Sequence, residues 1–192
     1  RDEPGDVVGQ CLVTGEITRI ARLHSSIKGI RGAQPTGATL VGFNAPAYES
    51  YNRANGQGLN APTGKKAAFA YTTTLNYLLS RESENPKFTI GDTTVVYWAE
   101  SPNKAYAELF SALFNPDWVA QEETTTRRDP QANQRLREIA QKVKNGAPLD
   151  VEHLMEGLDP RTRFYVLGLA PNAARLVVRF FYQDAFEEIV NH

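Results

Sequence analysis

The sequence predicts an α+β fold in which an antiparallel sheet, built from two or more hairpins, packs with several helices and carries a long basic glycine-rich loop near the N-terminus. Three observations support this. Two β-rich runs flank Gly91-Asp92, a dipeptide suited to a tight hairpin turn. Two strand-forming runs, Arg163 to Leu169 and Ala174 to Tyr182, are joined by the short link Ala170-Pro-Asn-Ala173. Between these pairs, apolar residues recur at three- and four-residue steps, the period of a helix with one buried face.

In chain order, Gln10 to Thr14 reads as a short strand closed by Gly15-Glu16, and Ala38 to Phe43 as another, with the glycine loop between them. Ala47 to Arg53 suits a short helix, and Asn55 to Gly64 is turn-rich, as expected of a mobile segment or one draped over a partner. Thr63 is placed to cap a helix running to about Arg81, with Ala68, Tyr71, Leu75 and Leu78 inward and Thr73 and Asn76 turned elsewhere. The hairpin of Lys87 to Ala99 follows. Ser101-Pro102 starts a helix that buries Tyr106, Leu109, Phe110 and Leu113. After the polar link Glu122 to Arg128, Asp129-Pro130 begins a helix with Leu136, Ile139, Ala140 and Val143 inward, stopped by Gly146. Asp150 caps a short helix to about Glu156, and Asp184 to Val190 reads as helical. The 192 residues are expected to form one α+β piece, with any sub-division near 120–130.

Composition excludes several classes. Hydrophobic residues at 41% and charged residues at 22% are ordinary globular values, against disorder, coiled coil and collagen. No apolar run reaches the roughly 18 residues that a membrane span needs. The N-terminal Arg-Asp-Glu-Pro-Gly-Asp has no signal-peptide pattern, and Cys11 is the only cysteine, so an intracellular, cytoplasmic protein is expected. The chain starts at Arg1 and has Met155 as its sole methionine, as a piece of a longer polypeptide would.

Charge is unevenly spread. Between Ile17 and Tyr48 there is no acidic residue, and from Ile17 to Lys66 seven bases face only Glu49, a local +6 in a chain whose net charge is -1. Within that stretch Lys28 and Arg31 lie on Ile27-Lys-Gly-Ile-Arg-Gly-Ala-Gln-Pro-Thr-Gly-Ala38. Mobile glycines, cations and amides in one loop suit an anionic partner. Lys28, Arg31 and Gln34 are the candidate contacts, and Arg19, Arg22, His24 and Asn44 the candidate supports. On the last strand, Arg175 and Arg179 share a face, because side chains alternate, and form a secondary basic face. Neighbouring aromatics keep open a base-stacking sheet for single strands, against the plainer reading of arginine stems covering apolar neighbours.

Other chemistries lack parts. Gly32 to Thr39 has P-loop glycine spacing but Ala38 where the lysine belongs, and Gly58 to Lys66 has the lysine but the wrong spacing and no hydroxyl after it. His24, His153 and His192 lie too far apart for a zinc motif, no nucleophile elbow occurs, and Cys11 reads as a small buried hydrophobe. No catalysis, metal or cofactor is expected.

Longer strings carry a resemblance. Cys11-Leu-Val-Thr-Gly-Glu16, Ile20-Ala-Arg-Leu-His24, Ile27 to Gln34, Phe43-Asn-Ala45, Tyr48-Glu-Ser-Tyr51, Ala68 to Thr73, Phe164 to Arg175 and Val178-Arg-Phe180 resemble the large subunit of the type I-C CRISPR interference complex, Cascade. The likeness spans essentially the whole chain, as a middle portion of that subunit. It departs at Asn52 to Gly58 and Thr63 to Lys66. The resemblance implies a non-enzymatic DNA-binding subunit of an RNA-guided antiviral complex. Its tasks would be to read the protospacer-adjacent motif on target double-stranded DNA, hold opened strands and recruit the helicase-nuclease. Its partners would be the other complex subunits and the helicase-nuclease, with a phage anti-CRISPR protein as a further candidate. The alternative is a scaffold that docks acidic partner surfaces without touching DNA.

Overall fold

A computed structural model of the chain describes residues 7–43, 57–80, 83, 87–117 and 130–191. It is α+β, with one two-stranded and one four-stranded antiparallel sheet. Contacts group the chain into two compact units. The first takes Arg1–Ser83, Gly91–Thr93 and Leu169–Val178, and the second Glu84–Ile90, Thr94–Gly168 and Arg179–His192.

In the first unit, β1 (Val8–Gln10) pairs antiparallel with β2 (Ile17–Arg19), Gln10 opposite Ile17. The strand expected over Gln10–Thr14 stops at Gln10. The Cys11 carbonyl accepts the Gly15 N–H at 2.8 Å, so Leu12–Thr14 form the turn. Leu12 and Val13 stand 70% and 69% exposed, an apolar pair that looked like strand and is loop tip. The strand expected over Ala38–Phe43 is reduced to two single bridges, Ala38 to Ile27 and Thr39 to Arg175. The expected helix at Ala47–Arg53 lies outside the described residues, as does the polar link at 122–128.

The segment expected to be loose is fastened along its described part. A 3-10 turn, Gln57–Asn60, is tied by the Gly58 N–H to the Arg22 carbonyl at 3.0 Å. Further on, Ala21 donates to Thr63 and Leu12 to Pro62, at 2.8 and 2.9 Å. Helix α1 (Lys65–Leu78) follows and buries Ala68, Thr72, Leu75 and Leu78. Thr63 does not cap it: its hydroxyl donates to the Ala61 carbonyl, and Gly64 takes the cap position without a side-chain bond.

The second unit holds β3 (Phe88–Ile90), most of β4 (Thr93–Ala99), α2 (Ala105–Phe114), α3 (Pro130–Lys144), α4 (Val151–Leu154) and α5 (Phe186–Asn191), with the greater parts of β5 (Arg163–Asn172) and β6 (Arg175–Ala185). The sheet order is β3-β4-β5-β6. Gly91-Asp92 makes the expected hairpin turn, with Gly91 at φ 61°. Helix α2 begins later than Ser101-Pro102 would place it, because the Asn103 side-chain oxygen takes the Ala105 N–H at 3.0 Å. Helix α3 opens on Pro130 and stops before Gly146, and Asp150 caps α4 through the His153 N–H at 3.2 Å, both as expected. The last hairpin is longer than its sequence signal, since both strands run inward until only Ala173-Ala174 is left to turn.

Aromatic rings fill this unit's core. Phe164, fully buried, has its ring centroid 5.0 Å from those of Phe110 and Phe186. Tyr97 packs 4.6 Å from Phe110, and its hydroxyl lies 2.5 Å from Ser111 Oγ, which donates to the Ala107 carbonyl. Replacing Phe164 by alanine is therefore expected to cost about 3–5 kcal/mol. Tyr97→Phe, which leaves Ser111 bonded to Ala107, should cost about 1 kcal/mol. Denaturant titration measures both, and equal losses would contradict a core built on the Phe164 ring.

Candidate nucleic-acid interface

The basic loop is closed and anchored. Ile27 and Ala38 exchange backbone hydrogen bonds of 2.9 and 3.0 Å, closing the twelve residues as an antiparallel bridge. Inside it, Ala33 donates to the Ile30 carbonyl and Gly37 to that of Gln34, at 3.2 and 2.8 Å. Ile27, Ile30 and Ala38 are buried, at 0%, 6% and 1% exposure, so apolar side chains hold the loop to its unit from within. Gly29 and Gly37 adopt φ 81° and 93°. At Gly29 a Cβ would stand 2.7 Å from the Leu79 carbonyl oxygen, so both conformation and space demand glycine.

Helix α1 supplies a second restraint. Asn76 Oδ1 accepts the Lys28 N–H at 2.8 Å while its Nδ2 donates to the Ser26 carbonyl at 3.1 Å. One amide thus grips the backbone on both sides of Ile27. The expectation that Asn76 looks away from the packed face is corrected: it is half-buried and bonded to the loop.

Lys28, Arg31 and Gln34 are all exposed on this loop, as are Arg22 just before it and Arg19 on β2. The exit of the loop brings in Arg175. Leu176 donates to the Thr39 carbonyl at 2.8 Å and Thr39 to that of Ala174 at 3.3 Å, which sets half-buried Arg175 beside Thr39. Arg179 is exposed and belongs to the second unit, so the two arginines of β6 are divided between the units. Asn44 lies outside the described residues.

His24 is placed differently. It is 7% exposed, with Nδ1 2.6 Å from the Tyr71 hydroxyl and Nε2 buried without a hydrogen-bond partner. Burial lowers the His24 pKa and raises that of the Tyr71 hydroxyl to about 12, so the pair is neutral at pH 7. A neutral, inward-facing imidazole braces the chain leading into the loop.

Sequence reasoning did not single out Asn76 or Tyr71 as partners of this region. The signal at Asn76 was a polar residue of low helix propensity inside a helix, where a side-chain bond to backbone is the usual reason. Cys11 is buried as expected, and its sulfur also accepts the Gly64 N–H at 3.2 Å. Hydrogen bonding, first from the Thr14 hydroxyl and then from Gly64, lowers its thiol pKa to about 7. No group of three or more His, Cys, Asp or Glu side chains that could hold a metal occurs among the described residues. Nor is any described helix long and apolar enough to cross a membrane.

An anchored loop with exposed cations defines, as a class, a candidate binding module for an anionic surface. The whole chain, residues 1–192, matches the family described as CRISPR-associated protein (Cas_Csd1), and it belongs to that family. Membership makes it a CRISPR-associated subunit of the type I-C Cascade kind, which works in association with other subunits of that complex. No individual curated protein matches the chain.

Two outcomes test this geometry. Gly29→Ala should destabilise the chain by about 1–3 kcal/mol, from left-handed strain plus displacement of the Leu79 backbone. A thermal melt unchanged by that substitution would contradict the close approach. For His24, the unfolded chain takes up a proton at higher pH than the folded one. Stability is therefore complete above the ordinary histidine range and falls as pH drops through it, by at most about 1.4 kcal/mol per pH unit. Melts at pH 7.5 and 5.5 should differ, and His24→Asn should reduce the difference; an unaltered pH response would assign it elsewhere.

Proposed function

We propose that this chain is a non-catalytic, DNA-contacting part of a type I-C RNA-guided surveillance complex acting in the cytoplasm. In this reading the loop Ile27–Ala38 meets target double-stranded DNA, helps read the protospacer-adjacent motif and favours strand opening, and the assembled complex presents the site to the helicase-nuclease. The observation that carries the reading is the loop itself: Lys28, Arg31 and Gln34 exposed on a backbone held by buried Ile27, Ile30 and Ala38 and by Asn76. Cations neutralise phosphates and fix register, while an amide such as Gln34 is chemically suited to a base edge. Arg19, Arg22 and Arg175 add positive charge near this element, and His24 acts as a brace.

In the reconstituted guide complex, Lys28→Ala and Arg31→Ala should each weaken target-duplex binding. Each should also reduce the slope of log affinity against log salt by about 0.9, the value for one phosphate contact on a duplex. Gln34→Ala should leave that slope alone and relax discrimination among motif sequences. If K28A and R31A alter neither affinity nor slope, the loop does not contact DNA. Crosslinks from Ile27–Phe43 to protein subunits alone would then favour a scaffold docking acidic partner surfaces.

A further inference from the structure

Strand β1 of the first unit is an open edge. Ile20 donates its N–H to the Val7 carbonyl at 2.9 Å and Cys11 to that of Glu16 at 2.8 Å, so Val7, Gly9 and Cys11 turn their backbone groups toward β2. Val8 and Gln10 turn theirs the other way, where they meet no partner among the described residues. The strand, Val8-Gly-Gln10, carries neither charge nor proline, the devices that keep an edge from pairing. Its outer face is apolar as well. Directly opposed residues share a face, which puts Val8 beside Arg19 and Ile17 beside Gln10 on one side of the hairpin. Val8 is 59% and Ile17 72% exposed there. On the other side Thr18 is half-buried against the start of α1, where a Cβ at Gly64 would lie 2.6 Å from its Cγ2. The turn adds exposed Leu12 and Val13, and the Leu12 N–H bond to Pro62 holds it in place.

We propose that this edge takes a β-strand from another protein subunit of the complex, an extended segment that sets an apolar, β-branched or aromatic side chain beside Val8. The backbone groups of Val8 and Gln10 specify such an occupant, because they offer donors and acceptors together. A peptide strand matches both, whereas phosphate linkages only accept. Exposed Ile17 and the Leu12-Val13 tip specify its apolar side chains. That the strand comes from another subunit rests on membership of a family whose proteins work in association with other complex subunits. The mode of docking rests on the edge itself. The edge lies outside the Ile27–Ala38 loop, and the proposal does not depend on DNA contact.

Residue-resolved amide hydrogen exchange, measured on the full chain alone and in the DNA-free guide complex, tests this. The Val8 and Gln10 amides should exchange rapidly in the isolated chain and slow by about tenfold or more on assembly. Val8→Pro deletes an outward N–H and leaves the β1–β2 bonds intact. It should keep the thermal melt and lower incorporation into the complex about tenfold, the scale of one net backbone hydrogen bond. Ile17→Thr, which keeps a β-branched side chain and removes apolar surface, should also lower incorporation while touching no backbone group. Unchanged exchange at Val8 and Gln10 on assembly overturns the proposal, as does normal incorporation of both variants. Protection that appears in the isolated chain as its concentration is raised would assign the edge to a second copy, and protection only after DNA is added would assign it to nucleic acid. Either result overturns the proposal. Lys28→Ala, which tests the loop, should assemble with these amides protected as in the wild type, so the two readings succeed or fail separately.

Discussion

The presentation of the basic loop depends on one side-chain amide. Asn76 accepts from Lys28 N–H and donates to the Ser26 carbonyl, and in doing so occupies the backbone groups on either side of Ile27. With those groups satisfied, Ile27 can be fully buried without leaving polar backbone unpaired. Successive side chains of an extended segment point in opposite directions, so burying Ile27 turns Lys28 outward. Ile30 repeats the pattern with its neighbour Arg31. Exposure of the cations thus follows from where the isoleucines are held.

A held loop also differs energetically from a free one. Ordering a mobile backbone on binding costs roughly 1–2 kcal/mol per residue, which a few exposed phosphate contacts do not easily offset. Here the Ile27–Ala38 bridge, the two internal turns and the Asn76 bonds have already met much of that cost during folding. Arg175 reaches the same neighbourhood through backbone pairing at Thr39, from a strand more than a hundred residues later in the chain. Local charge density near the loop is therefore partly a product of topology.

Much of the fold was legible in the sequence, because its signals were local. Gly91-Asp92, Pro130, Gly146 and Asp150 each act within a few residues, and each acts in the structure as its chemistry requires. One failure was local, and the others came where partners are distant. Leu12 and Val13 have strand-like composition, yet a Cys11 to Gly15 hydrogen bond turns the chain under them. Glycine-rich Gln57–Gly64 looked unattached because its partners, Arg22, Ala21 and Leu12, lie some forty residues earlier. At the candidate site, Lys28, Arg31 and Gln34 were legible as charge and amide on a glycine loop. The inward turn of His24 was not, since it depends on Tyr71, on a helix that the sequence could place but not orient against the loop.

The last hairpin shows how strictly such placement can be fixed. Phe180 packs on the second unit's core while Phe181 stands on the opposite face, so a one-residue slip of β6 would exchange a core ring for an exposed one. Gly168 opposes that slip. A Cβ there would come within 2.5–2.6 Å of the Phe180 ring, so the ring lies in space that only glycine leaves open on β5. Val166, the previous residue on the same face of β5, is itself buried in the core and offers no comparable gap. The fit of Phe180 over Gly168 holds the strand pair in register, and that register in turn sets Phe181 against Tyr165. The pairing of these two rings on one face is therefore a consequence of packing on the other.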